Sequence, residues 1–194
     1  MKKTSIKETI GLILIAVGLG LLLSSIALNL KQYYSKKNTV EDFRKQLESG
    51  ETVPPSQGNP AVAGDMLYIL RIPSIDSENP VRESVERSIL TDSLGHEPDT
   101  SYAGEEGNCV IAGHRNYTFG KFFNRLDEVK LDDLIYVDTA DSTYTYVVTD
   151  IKVVDPDDVQ VLEPVEDKEI LTLYTCTPIY VATHRLVIIA ERIQ

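Results

Sequence analysis

Residues 9–30 form a run of 22 residues with no charged side chain. As an α-helix that run would be roughly 33 Å long, enough to cross the hydrocarbon core of a bilayer. It is too long for a typical secretory h-region. Leu28-Asn29-Leu30-Lys31 comes at its end without an obvious small-residue cleavage site. The expectation is a retained single-pass anchor, and a cleaved secretory signal is the alternative. Lys2, Lys3 and Lys7 precede the run, and Lys31, Lys36 and Lys37 come after it. Lysine counting therefore ties, and the positive-inside rule does not set the orientation.

The chain beyond this run must form a separate body. Residues 31–64 read as stalk and linker. The first part is polar and compatible with a helix, and residues 51–64 carry Pro54, Pro55, Gly58, Pro60 and Gly64, an extended-linker composition. Residues 65–194 remain, enough for one hydrophobic core. Beyond Leu30 there are 16 basic and 29 acidic residues. Nucleic acid is excluded as a partner, because phosphate binding needs clustered cations.

Short β-branched and apolar runs punctuated by turn residues fill this part. Strands are expected at residues 66–72, 109–112, 134–137, 143–154, 170–174 and 186–190, with a strand or turn at 75–81 broken by Pro80. Helical turns are expected over residues 83–90 and 119–126, the latter with Phe119, Phe122, Phe123 and Leu126 on one face. Residues 95–107 and 155–168 read as acidic loops. Seven or eight short strands with little helix make a small all-β domain, favouring a closed or nearly closed barrel.

Three residues at strand ends carry chemistry. Cys176 exits the run at 170–174, Arg185 enters the run at 186–190, and His114 comes just after the apolar run ending at Ala112. If the last two strands pair, thiol and guanidinium share one end of the sheet. A thiol, an imidazole and a guanidinium suffice for cysteine-based acyl transfer. From the residues alone, His96 and His184 compete with His114. His96 lies in a Gly/Pro/Asp loop and reads as solvated. If Arg185 points into a cleft, alternation sends His184 to the opposite face, and Arg115, next to His114, is expected to face away. Cys109 lies five residues before His114, ~17 Å along a strand, too far to bridge Cys176 if His114 neighbours that thiol. It reads as a small buried hydrophobe.

Leu173-Tyr174-Thr175-Cys176, Gly113-His114 and Arg185 together resemble the sortase family, over about residues 65–193. The resemblance implies an eight-stranded β-barrel with a cleft on one wall, preceded by the membrane anchor at residues 9–30. It implies Cys176 as nucleophile, His114 as acid and base, and Arg185 as the electrostatic partner. Thr175 is expected either to hydrogen-bond the substrate or to orient Arg185, and Thr177 is expected at the substrate through its backbone N–H as an oxyanion donor. The implied activity is a cysteine transpeptidase at a bacterial surface. It would cut a Leu-Pro-x-Thr-Gly-type sorting motif in secreted proteins and pass the acyl group to a cell-wall amine. Residues 1–8 would be cytoplasmic and the catalytic domain extracellular. The alternatives are pilin polymerisation onto a lysine, a cysteine protease with the same parts, and a non-catalytic tethered barrel that binds peptide.

Some sortases bind calcium between loops that the acidic segments 97–106 and 155–169 resemble. These segments lack an EF-hand-like spacing and read as solvated loops, so neither a metal site nor a cofactor is expected. The short Cys176-to-Arg185 interval with Thr183-His184-Arg185 resembles the pilin-polymerising class. Residues 31–64 lack that class's Asp-Pro-aromatic lid motif, and the chain ends at Gln194 without a second apolar span. Wall anchoring is the favoured subclass.

Overall fold

The computed structural model describes residues 6–49, 65–115 and 122–193. These divide into two compact units, with the break between Thr39 and Val40. The first lies within α1 (Ile6–Ser49), a single helix of 44 residues. In this unit Leu14, Leu21 and Leu23 are each more than 60% exposed. A helix apolar on all sides suits lipid rather than the surface of a globular core. It is the one helix among the described residues long and apolar enough to cross a membrane. The linker expected over residues 51–64 lies outside the described residues.

The second unit starts with the last turns of α1. Val40 and Phe43 are buried against Ile69, and Arg44 pairs with Glu78. The end of the segment expected to be a stalk therefore contributes apolar surface to this unit, each fully buried side chain being worth ~1.5–3 kcal/mol.

Eight strands complete it: β1 (Met66–Ile72), β2 (Ser77–Glu83), β3 (Leu94–His96), β4 (Gly107–Ala112), β5 (Leu134–Asp138), β6 (Thr143–Val154), β7 (Glu169–Thr177) and β8 (His184–Arg192). They close in the order β1-β2-β3-β4-β7-β8-β6-β5. β2 runs parallel to β3 and β4 parallel to β7, and the other pairs are antiparallel. Alternation sends Cys109 and Ile111 of β4, Leu171 and Leu173 of β7, and Leu186, Ile188 and Ala190 of β8 into one core.

Pro80 does not break β2. It pairs with Ile69 on one side, while β3 joins the other side only from Val81 onward. A residue without an N–H is tolerated where one edge is open. A four-residue helix, α2 (Arg87–Leu90), occupies the expected helical turns. The helix expected over residues 119–126 is not formed in its described part. Phe122 has a positive φ and bridges Arg115, and a 3-10 turn comes next at Leu126–Glu128. Phe122, Phe123 and Leu126 are nevertheless all buried, so burial came from tertiary packing rather than from a helical face.

Candidate active site

The parallel pairing of β4 with β7 assembles the site. Parallel neighbours end at the same edge of the sheet, so the exits of β4 and β7 lie together. Antiparallel β8 begins at that edge. The β4–β7 register ends at Ala112 opposite Tyr174. It is prolonged by Gly113 N–H donating to the Tyr174 carbonyl at 3.1 Å. His114 and Cys176 are thus each two residues past a paired position, on the same face as Ala112 and Tyr174. Across the other edge of β7, Cys176 pairs directly with Arg185. Directly opposed residues of an antiparallel pair share a face, with Cβ atoms about 4.5–5.5 Å apart. Since Leu171, Leu173, Leu186 and Ile188 point into the core, alternation puts Cys176 and Arg185 on the outer wall. Both are half-buried.

The remaining expected residues separate. His184 pairs with Thr177 rather than Cys176. Its imidazole is 47% exposed, 3.6 Å from Asp155. Thr175, expected to meet substrate or orient Arg185, is instead 1% exposed, and its hydroxyl donates to the Gly113 carbonyl at 2.6 Å. It ties the Cys176 strand to the residue before His114. The Thr177 hydroxyl accepts from Arg115 at 2.7 Å.

His96 requires correction. It is not a solvated loop residue but the last residue of β3, 1% exposed. Its Nδ1 donates to Glu83 Oε2 at 2.9 Å and its Nε2 to the Ser101 carbonyl at 3.1 Å. Its ring stacks on Tyr102 at 5.0 Å between centroids. Burial opposes its charge, but hydrogen bonds to Cys109 and Glu83 outweigh that and push its pKa up to about 10. Cys109 is 2% exposed and, like Cys176, a free thiol. It is buried as expected, but beside an imidazole rather than among apolar groups alone.

A family model, "Sortase domain", matches residues 70–193. The chain belongs to the sortase family. It is 33% identical to sortase D of Bacillus subtilis over 67% of this chain, and it spans 65% of that protein's length. Among solved structures it resembles a Clostridium perfringens sortase D5 transpeptidase with a TM-score of 0.69 and 26% identity, covering 82% of this chain and 98% of that one. It also resembles sortase A from Corynebacterium diphtheriae with a TM-score of 0.66 and 34% identity, covering 72% and 66%.

Near the exits of β4 and β7 of this sortase barrel stand further residues to which the sequence analysis gave no role at the site. The Tyr174 hydroxyl donates to Glu97 Oε2 at 2.7 Å. Burial, and then the Glu97 carboxylate, push that hydroxyl well above its ordinary range, while Arg185 pulls the other way. Tyr174 could have been found, since it lies two residues before Cys176 on the same face. Glu97, 77 residues away in sequence, left no signal. Arg115 carries a second guanidinium to the site's edge. It binds Thr177 and pairs with Asp127 at 2.8 Å, with only 8% of its side chain exposed.

Proposed function

We propose that this sortase is a membrane-anchored cysteine transpeptidase that attaches secreted proteins to the cell wall. The direct pairing of Cys176 with Arg185 at the end of β7, with His114 at the end of the parallel neighbour, is the observation that carries this reading. The Cys176 thiolate attacks the carbonyl of a threonine in a Leu-Pro-x-Thr-Gly-type motif. The Thr–Gly bond breaks, and His114 gives its proton to the departing amine. A thioester remains on Cys176. An amine of the cell-wall precursor then attacks it, His114 takes that amine's proton, and an amide bond replaces the thioester. Arg185 and the backbone N–H of Thr177 hold the oxyanion at each tetrahedral stage. Thr175 acts from behind, by holding Gly113.

α1 serves as the anchor, with the barrel outside the cell where both substrates are found. Residues 31–64 contain no Asp-Pro pair, which favours wall anchoring over pilin polymerisation. The test uses the full-length chain in detergent with sorting-motif peptides, with and without an added amine, read by mass spectrometry. Amide product that appears only with the amine, together with a thioester adduct on Cys176, is the expected result. Free acid at the same rate with and without amine would make the enzyme a protease. An adduct resolved only by a pilin lysine peptide would make it a pilin polymerase. Absence of any adduct would leave a non-catalytic barrel.

A further inference from the structure

The ladder that aligns the β4 and β7 exits stops short of the two reacting groups. Its last regular pair is Ala112 with Tyr174, and two further bonds engage Gly113. His114 and Cys176 lie past those bonds. The next tie beyond them is a side-chain bond between their immediate successors in the chain: Arg115 Nη1 donates to Thr177 Oγ1 at 2.7 Å. The imidazole and the thiol are thus bracketed, with backbone and Thr175 bonds on one side and Arg115–Thr177 on the other.

Alternation keeps this tie out of the cleft. Cys109 and Ile111 point inward from β4, and Leu171 and Leu173 inward from β7. Arg115 and Thr177 continue those inward tracks, while His114 and Cys176 continue the outward ones. Arg115 is fixed at both ends. Its Nη2 meets Asp127 at 2.8 Å, and its backbone bridges Phe122, which is buried. Asp127 also compensates its charge, so Arg115 adds little net field at Cys176. A planar fork that reaches two oxygens from separate nitrogens is suited to spacing two segments rather than to point-charge stabilisation.

We propose that Arg115 is a positioning residue that acts through Thr177. Its bond holds the segment after Cys176 against the segment after His114. It sets the imidazole-to-thiol spacing and the aim of the Thr177 backbone N–H. The proposal rests on reading Cys176 as the nucleophile. Misplacing reacting groups by about 1 Å can cost on the order of 10²-fold in rate.

The test compares full-length wild type, Arg115→Ala, Thr177→Val, Thr177→Ser and the double variant Arg115→Ala/Thr177→Val, at a temperature well below each melting point. Two readouts are taken: peptide turnover, and the pH profile of Cys176 alkylation by iodoacetamide, which needs no peptide. Thr177→Val and Arg115→Ala are expected to lose about 10- to 100-fold in kcat with little change in KM. The double variant should be no worse than either single, because one bond is removed in all three. Thr177→Ser, which keeps the hydroxyl, should recover most of the loss. The alkylation profile of Thr177→Val should move toward that of His114→Ala. Should Arg115→Ala not fold, Thr177→Val against Thr177→Ser decides. Wild-type kcat and an unmoved alkylation profile in Thr177→Val would overturn the proposal, as would additive losses in the double variant. Inactive wild type, or active Cys176→Ala, would instead sink the transpeptidase reading, and the alkylation profile would still test the bracket.

Discussion

One barrel wall separates two thiol–imidazole sets, Cys109 with His96 and Cys176 with His114, while the third imidazole, His184, is exposed at the start of β8. Cys109 sits inside beside His96, and His96 is held by Glu83. Cys176 stands near the end of β7 and His114 two residues past β4, on the outer face, with Arg185 paired to Cys176. Cys109 and His114 belong to one stretch of chain, and their odd spacing of five residues sends them to opposite faces. The chemical parts are alike and the partners differ. The inner imidazole has a buried carboxylate and no access for a substrate. The outer thiol has a guanidinium and a half-open wall. Side-chain type alone therefore says little about which thiol reacts. Exposure says more, and so does whether the neighbouring cation is already compensated, as His96 is by Glu83.

The largest expected difference is between the two thiols. Cys176→Ala should leave less than about 1% of wild-type cleavage with the fold intact. Cys109→Ala should keep cleavage and lose about 1 kcal/mol of stability, the scale of one buried methylene-sized group. Iodoacetamide should label Cys176 and spare Cys109 in the folded chain. Mass mapping of the labelled chain would break the comparison if Cys109 reacted first.

The two histidines should differ in kind. His114→Ala should abolish most turnover at an unchanged melting temperature. His96→Ala leaves Glu83 buried and uncompensated, a change that costs about 3–5 kcal/mol, while molecules that remain folded keep their activity. The sign of the pH effect comes from the raised pKa. The folded chain holds the His96 proton up to about pH 10, whereas the unfolded chain releases it near 6.5. The stabilisation is therefore complete below 6.5 and is lost as pH rises toward 10. Urea unfolding across that window should show stability falling in wild type and a flatter profile in His96→Gln. Equal slopes would mean that His96 is neutral in the folded chain.

A smaller effect is expected at Arg185. Arg185→Lys keeps the charge but loses the two-oxygen fork, and should cost about 10²–10³ in turnover, or ~2.7–4 kcal/mol of barrier. Melting temperatures should move little, because a half-exposed ion contributes under ~1 kcal/mol to stability. Near-wild-type turnover in the lysine variant would reduce Arg185 to a long-range field.

Much of this was legible in the chain itself. Most strands appeared as β-branched runs because a barrel wall buries one face of each strand, and that burial writes a period of two into the residues. The long apolar helix was legible because 22 residues without a charge give a continuous signal along the chain. Cys176, His114 and Arg185 stood out because strand ends leave side chains uncommitted to the core. Pairing was not legible. Nothing local says that β4 lies beside β7 rather than β5, yet that parallel contact brings His114 alongside Cys176. The burial of His96, the Tyr174–Glu97 bond and the Arg115–Thr177 bracket were likewise decided by the closed barrel. Each joins groups whose spacing along the chain carries no signal, and each depends on which face of which neighbouring strand closure happens to present.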